Sequence, residues 1–255
     1  MKILVLLKQV FDTEAVINID GGKISDAGVT QIINPYDEFA VEEALKIAEA
    51  VKGEVTIVTV GSGVDQTVRQ ALAMGADKGY VIEDAALAEA DEFGVATALS
   101  KAISGMEYDL ILAGWRAIDD GSAQVAARVA QALNLPLVNL AIKLEVADGK
   151  ATATTEIDGG TSVVEVPLPA VVTCQKGLNE PRYPSMKGIM KAKKKKIEKV
   201  GLGDLGLEAA AVAAKVKTLN IYLPEARAAG KIITGEPADA AKEVAKLLRE
   251  EAKAI

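Results

Sequence analysis

The chain has 255 residues, 50% of them apolar and 25% charged, a balance that suits a folded core rather than a disordered segment. Its 36 acidic and 29 basic residues leave a net charge of −7, and aromatics are only 4%, which argues against a nucleic-acid binder: phosphates repel an acidic surface and bases lack stacking platforms. There is no histidine and one cysteine, Cys174, so the chain alone builds no Ser-His-Asp triad, histidine-ligated zinc, internal disulfide or CxxC redox pair. A single thiol also fits a reducing, cytoplasmic compartment.

Lys2–Leu7 opens the chain as an apolar run, too short for a signal segment or a membrane span and suited to a buried strand. No other run nears the roughly 18 residues a bilayer crossing needs, so no direct membrane insertion is expected. Asn34-Pro35-Tyr36-Asp37 then starts a helix with an apolar face of Phe39, Val41, Ala44, Leu45, Ile47 and Ala48, ended by Gly53. Glu54–Val60 predicts a second strand, Asp65–Met74 a helix stopped by Gly75, and Lys78–Ile82 a third strand. Asp91–Ile103 predicts a helix, Tyr108–Ala113 a fourth strand, and Ser122–Leu133 another helix before Pro136. Strands this apolar, alternating with helices, predict an α/β fold: a doubly wound, mostly parallel sheet covered on both faces.

After Pro136 the pattern turns β-rich, with strands near Leu140–Val146, Lys150–Ile157 and Thr161–Val166 and hairpin turns at Asp148-Gly149 and Asp158-Gly159-Gly160. Pro169–Thr173 reads as one more buried strand. The stretch from Cys174 to about Leu207 reads as irregular, with six lysines between Lys187 and Lys196. The expected organisation is thus a core with a β-rich extension over 1–173, continuing at 208–255, and an extended recognition arm at 174–207. An amphipathic helix is expected over Pro237–Ala254.

Ligands of such sheets sit outside the carboxyl ends of the strands. The richest loop there is Gly114-Trp115-Arg116-Ala117-Ile118-Asp119-Asp120-Gly121-Ser122-Ala123-Gln124. Gly121 permits close backbone approach, Ser122 suits a cap or an anion contact, and the free N–H groups of the next helix attract phosphate. Arg116 adds a cation. The loop reads either as a phosphate cradle or as an ordinary capped strand–helix turn, for it carries neither GxGxxG nor a Walker lysine. Asn34–Asp37 likewise reads as a plain helix start or as a purine- or ribose-binding turn. The lysine run reads as a solvated face or, beside Met186, Ile189 and Met190, as a docking patch with an apolar anchor and a basic rim.

Asn34–Ala44 (NPYDEFAVEEA), Ala71–Asp77 (ALAMGAD), Ala117–Asp120 (AIDD), Glu156–Gly160 (EIDGG) and above all Leu178–Ser185 (LNEPRYPS) with Gly188–Lys195 (GIMKAKKK) resemble the β subunit of electron transfer flavoproteins, in the same order along nearly the whole chain. The resemblance implies a heterodimer with an α subunit that holds most of the FAD, and AMP buried in β. In electron-bifurcating members a second FAD that meets NADH takes the place of AMP. It implies a nucleotide site at Leu6, Asn34, Pro35, Tyr36, Asp37, Val60 and Gly114 through Val125, and a position for Glu156 near the α-bound flavin. It also implies docking of acyl-CoA dehydrogenase-type flavoproteins at Arg182, Tyr183, Met186, Ile189, Met190, Lys191 and Lys193. The run Ser122-Ala123-Gln124-Val125 is similar to that of bifurcating members. The resemblance thus implies an electron carrier; a free-standing AMP- or ATP-binding sensor is the rival of another class.

Overall fold

The computed structural model describes residues 1–226 and 229–255. By internal contacts the chain divides into one unit of residues 1–18 and 25–219 and another of 19–24 and 220–255.

The first unit is built on a nine-stranded sheet. Its strands are β1 (Lys2–Leu6), β6 (Glu54–Val60), β7 (Lys78–Ile82), β8 (Leu110–Gly114), β9 (Leu137–Ala147), β10 (Lys150–Ile157), β11 (Gly160–Pro167), β12 (Ala170–Cys174) and β13 (Ile197–Val200). The order across the sheet is β11-β10-β9-β12-β8-β1-β6-β7-β13. Every pairing from β9 to β13 is parallel, and only the β9-β10-β11 meander at one edge is antiparallel. The mostly parallel α/β architecture expected from the alternating apolar runs is present.

Period-two alternation explains why β1 is apolar throughout. Ile3, Val5 and Leu7 join the core under α1 (Pro35–Val51) and α2 (Asp65–Met74), while Leu4 and Leu6 join the core under α3 (Glu92–Ile103) and α4 (Val125–Ala132). Each helix contributes its own stripe: Val41 and Leu45 from α1, Val68 and Leu72 from α2, Leu99 and Ile103 from α3, Val129 from α4. Truncating a fully buried leucine such as Leu72 removes on the order of 2–5 kcal/mol.

Several features differ from the sequence reading. The stretch after Cys174 is not irregular throughout: it holds the helix α5 (Met186–Ala192) and the edge strand β13, which pairs with β7. Two three-residue strands, β2 (Gln9–Phe11) and β5 (Gln31–Ile33), pair antiparallel where no element was expected. The helix expected from Ser122 begins only at Val125, because Gly121 and Ala123 adopt left-handed φ values of 64° and 55°. Finally, α1 ends at Lys52, itself left-handed at φ 53°, one residue before Gly53.

In the second unit, β3 (Asn18–Asp20) and β4 (Lys23–Ser25) form a hairpin turned by Gly21 and Gly22, both at positive φ. Its helix α6 (Pro237–Glu250) buries none of its side chains. Among the described residues no helix is long and apolar enough to cross a membrane.

Candidate nucleotide cleft and docking arm

The chain runs outward from β1 to β6 and β7, then returns to place β8 on the other side of β1. The strand order reverses there, which opens a crevice beyond the carboxyl ends of β1 and β8. A cleft of about 270 Å³ lies at these ends, near the lower bound of the roughly 300–1,000 Å³ usual for ligand pockets. Leu6, Val60 and Gly114 line it at the strand ends, Asn34 and Asp37 at the start of α1, and Trp115, Arg116, Ala117, Asp120, Ser122, Ala123, Gln124 and Val125 along the loop after β8. Pro35, Tyr36, Ile118, Asp119 and Gly121 lie in the same segments but outside the lining. Lys8, in the loop 7–12 that also leaves a strand end, lines it too; Thr59 and the residues 90–92 at the start of α3 line it as well, and no motif in the sequence marked these as walls.

Asn34 and Asp37 are buried, and their side chains hold the protein rather than face an open space. Asn34 donates from Nδ2 to the Arg116 carbonyl at 2.9 Å and accepts at Oδ1 from the Ile118 N–H at 3.2 Å. Asp37 accepts from the Lys8 N–H at 2.7 Å and the Gly114 N–H at 2.9 Å, bridging the ends of β1 and β8. Burial pushes the Asp37 carboxyl up to about 7 against the pull of these donors. A Cβ on Gly114 would stand 2.4 Å from Asp37 Oδ1 and 2.7 Å from Tyr36 Cβ, so this strand end admits only glycine.

At the mouth, Lys8 Nζ meets Asp119 at 2.8 Å and Asp120 at 2.7 Å. Burial works against the Lys8 charge, but the two carboxylates prevail and hold it protonated. Burial likewise raises Asp120, but bonds from Lys8 and Ser122 hold its carboxyl below the ordinary range. Ser122 donates its backbone N–H to Asp120 and does not cap α4, contrary to the sequence reading. Arg116 lies over the Trp115 ring at 4.4 Å and 5.6 Å from the Tyr36 ring centre, and Tyr36 and Trp115 meet edge-on at 5.5 Å.

Three helices begin at this cleft: α1 carries Asp37 in its first turn, and α3 and α4 treat their free N–H groups differently. At α3, Asp91 accepts from Phe93 and Gly94 at 3.1 and 3.0 Å, a complete side-chain cap. At α4 there is no side-chain cap; Gln124, at the cap position, turns its Oε1 to Arg128 instead. The first turn of α4 therefore keeps its partial positive charge for an anion. Among the residues lining the cleft, two buried donors also lack partners: the Thr59 hydroxyl and the Trp115 indole N–H. A buried donor left unpaired costs about 1–3 kcal/mol, and a polar ligand in the cleft recovers it. Uncapped helix, unpaired donors and left-handed Ala123 fit a nucleotide phosphate with polar groups behind it. No cluster able to hold a metal ion occurs among the described residues.

The arm packs against α1 and α2. Tyr183 is 95% exposed, Met186 77% and Met190 69%; Ile189 is also exposed. Lys191 and Lys193 are exposed beside them. Arg182 is not free: its guanidinium forks onto Glu42 at 2.8 and 3.0 Å and also meets Glu49. Bonds from Glu49 and Glu42 raise its pKa further. Glu156 is exposed at the end of β10, 3.4 Å from the Gln175 amide.

The electron transfer flavoprotein domain family matches residues 21–205. The chain is 50% identical to an electron transfer flavoprotein subunit beta of Syntrophomonas wolfei, over 99% of this chain and 98% of that protein. It is 46% identical to the subunit of the same name from Bacillus subtilis, over the full length of both. It is 38% identical to the caffeyl-CoA reductase-Etf complex subunit CarD of Acetobacterium woodii, over 92% of each. With this family matched over most of its length and β subunits matched from end to end, the chain belongs to the electron transfer flavoprotein family, as a chain of the β-subunit type.

Proposed function

We propose that this chain pairs with an α subunit as a heterodimeric electron carrier, holds AMP in the cleft between β1, β8 and α4, and shares the FAD held mainly by α. The observation that carries the nucleotide is the conjunction at one cleft of an uncapped eight-residue helix with the unpaired donors Thr59 and Trp115. Family membership supports the α partner and favours a carrier over a free-standing AMP- or ATP-binding sensor. The lone, buried Cys174 suits a cytoplasmic setting.

The flavin, when bound, supplies one- and two-electron chemistry; the protein positions it and sets the field around it. Around the nucleotide, the N–H groups of the first turn of α4 bind phosphate, and Arg116 adds the cation nearest the loop. Asn34 and Asp37 act behind them, fixing the loop to the end of β1. Glu156, at the tip of the β-rich extension, faces the partner's flavin. Tyr183, Met186, Ile189 and Met190 form the apolar anchor for acyl-CoA dehydrogenase-type donors, and Lys191 and Lys193 form its basic rim.

A second reading replaces AMP with a second FAD reduced by NADH. The run Ser122–Val125 favours it, as does the kinship with a subunit named for a caffeyl-CoA reductase-Etf complex. The deciding experiment copurifies the heterodimer, denatures it and counts the released compounds. One FAD and one AMP per dimer are expected; two FAD and no AMP establish the second reading, and a dimer with no adenine compound beyond the single FAD overturns both.

A further inference from the structure

The arm is fastened at two points, by cations far from their acceptors along the chain. At its entry, Arg182 forks onto Glu42, which is only 5% exposed, and also binds Glu49. Asn179 adds bonds to the Phe39 carbonyl and to Glu43 at 3.0 and 2.9 Å. All these partners lie on α1. At its exit, two helix ends cap each other. Arg69 of α2 donates from Nη1 to the Ala192 and Lys195 carbonyls at 2.5 and 2.6 Å, closing the end of α5. Lys195, from the arm, donates to the Leu72, Gly75 and Ala76 carbonyls, closing the end of α2. Between the fastenings α5 packs so closely on α2 that a Cβ on Gly188 would stand 2.3 Å from the Ala73 carbonyl oxygen.

We propose that Arg69 and Arg182 are positioning residues, which set the exposed tip Tyr183–Met190 in one orientation before any redox partner arrives. The inference rests on the docking role proposed for that tip. The charges follow a division of labour: Arg182 and Lys195 bind inward to the protein's own acceptors, and Lys191 and Lys193 stay outside. Two donors in a fixed fork suit Arg182 to a buried carboxylate, which an ammonium could not grip at both oxygens. Pre-ordering spares the complex the entropy of immobilising side chains on docking.

The test uses the purified heterodimer and steady-state reduction by an acyl-CoA dehydrogenase, with the dehydrogenase concentration varied. Arg69→Gln and Arg182→Gln are each expected to raise KM about tenfold, the loss of one charge-assisted bond. The kcat at saturation and the flavin content should hold. Limited proteolysis should cut both variants within 178–196 sooner than the parent, a change that lost surface charge alone would not produce. Arg69→Lys and Glu42→Gln serve if a glutamine variant fails to fold. Met186→Ala separates the two layers of the argument. If it raises KM while the arginine variants do not, the positioning inference falls and the docking surface stands. If no variant moves KM, the docking surface falls with it.

Discussion

The cleft lies at the ends of the central strands and the docking arm on one face of the same sheet, and each is incomplete in a different currency. At the cleft, polar groups are left without partners: the Thr59 hydroxyl, the Trp115 N–H and the open start of α4. At the arm Arg182 and Lys195 are spent on the protein's own acceptors, and large apolar groups are left exposed: Met186, Met190 and Tyr183. Unpaired donors in a recess await a small polar ligand, because they cost stability until it arrives. Exposed methionines on a fixed support await a protein, because thioethers adapt to varied surfaces. The two deficits therefore name two kinds of occupant without reference to any relative.

Substitution separates the two regions. Gly114→Ala should have the largest effect, on the order of 3 kcal/mol of unfolding free energy, since its Cβ meets Asp37 and the backbone of α1. A urea titration with a count of retained AMP should show both stability and nucleotide falling. The comparison is broken if the nucleotide survives intact. Asp37→Asn comes next. The folded carboxyl binds its proton more tightly than the unfolded one, so this group makes the fold less stable as pH rises from its ordinary 3.8 to about 7. The variant should lose that downward slope, up to about 1.4 kcal/mol per pH unit, in urea midpoints measured across the window. Thr59→Val should act with opposite signs on two measurements. Removing an unpaired hydroxyl should raise the melting stability of nucleotide-free protein by about 1 kcal/mol and weaken AMP retention. Unchanged retention would remove Thr59 from the site. Glu49→Gln should do least: the residue is 61% exposed, and losing its contact with Arg182 should change stability by less than about 0.5 kcal/mol. A larger loss in thermal melts would shift the main fastening from Glu42 to Glu49.

Much of the fold was legible because the central strands are buried on both sides. Ile3 through Leu7 and Leu110 through Ala113 leave unbroken apolar runs for that reason, and Val55, Ile57 and Val58 nearly so. The same logic hid β2, β5 and β13. Three or four residues with one buried face resemble loop, and Ile197-Glu198-Lys199-Val200 looks like the tail of a lysine run. The loop after β8 was legible as a site from topology. Its far walls were not, since Thr59 and the residues 90–92 become neighbours of Gly114 only through the order of the strands. Arg69 was hidden for a related reason: a cation that caps a foreign helix looks, in sequence, like any surface residue of its own.

The mutual capping of α2 and α5 leaves the outward side chains between the fastenings free of structural duty. Tyr183, Met186 and Met190 touch so little of the body that the tip is interchangeable: its side chains can be rewritten while the sheet, the cleft and both anchors stay as they are. A carrier made this way can acquire a new electron donor through a few changes in one short helix, with no redesign of the machinery behind it.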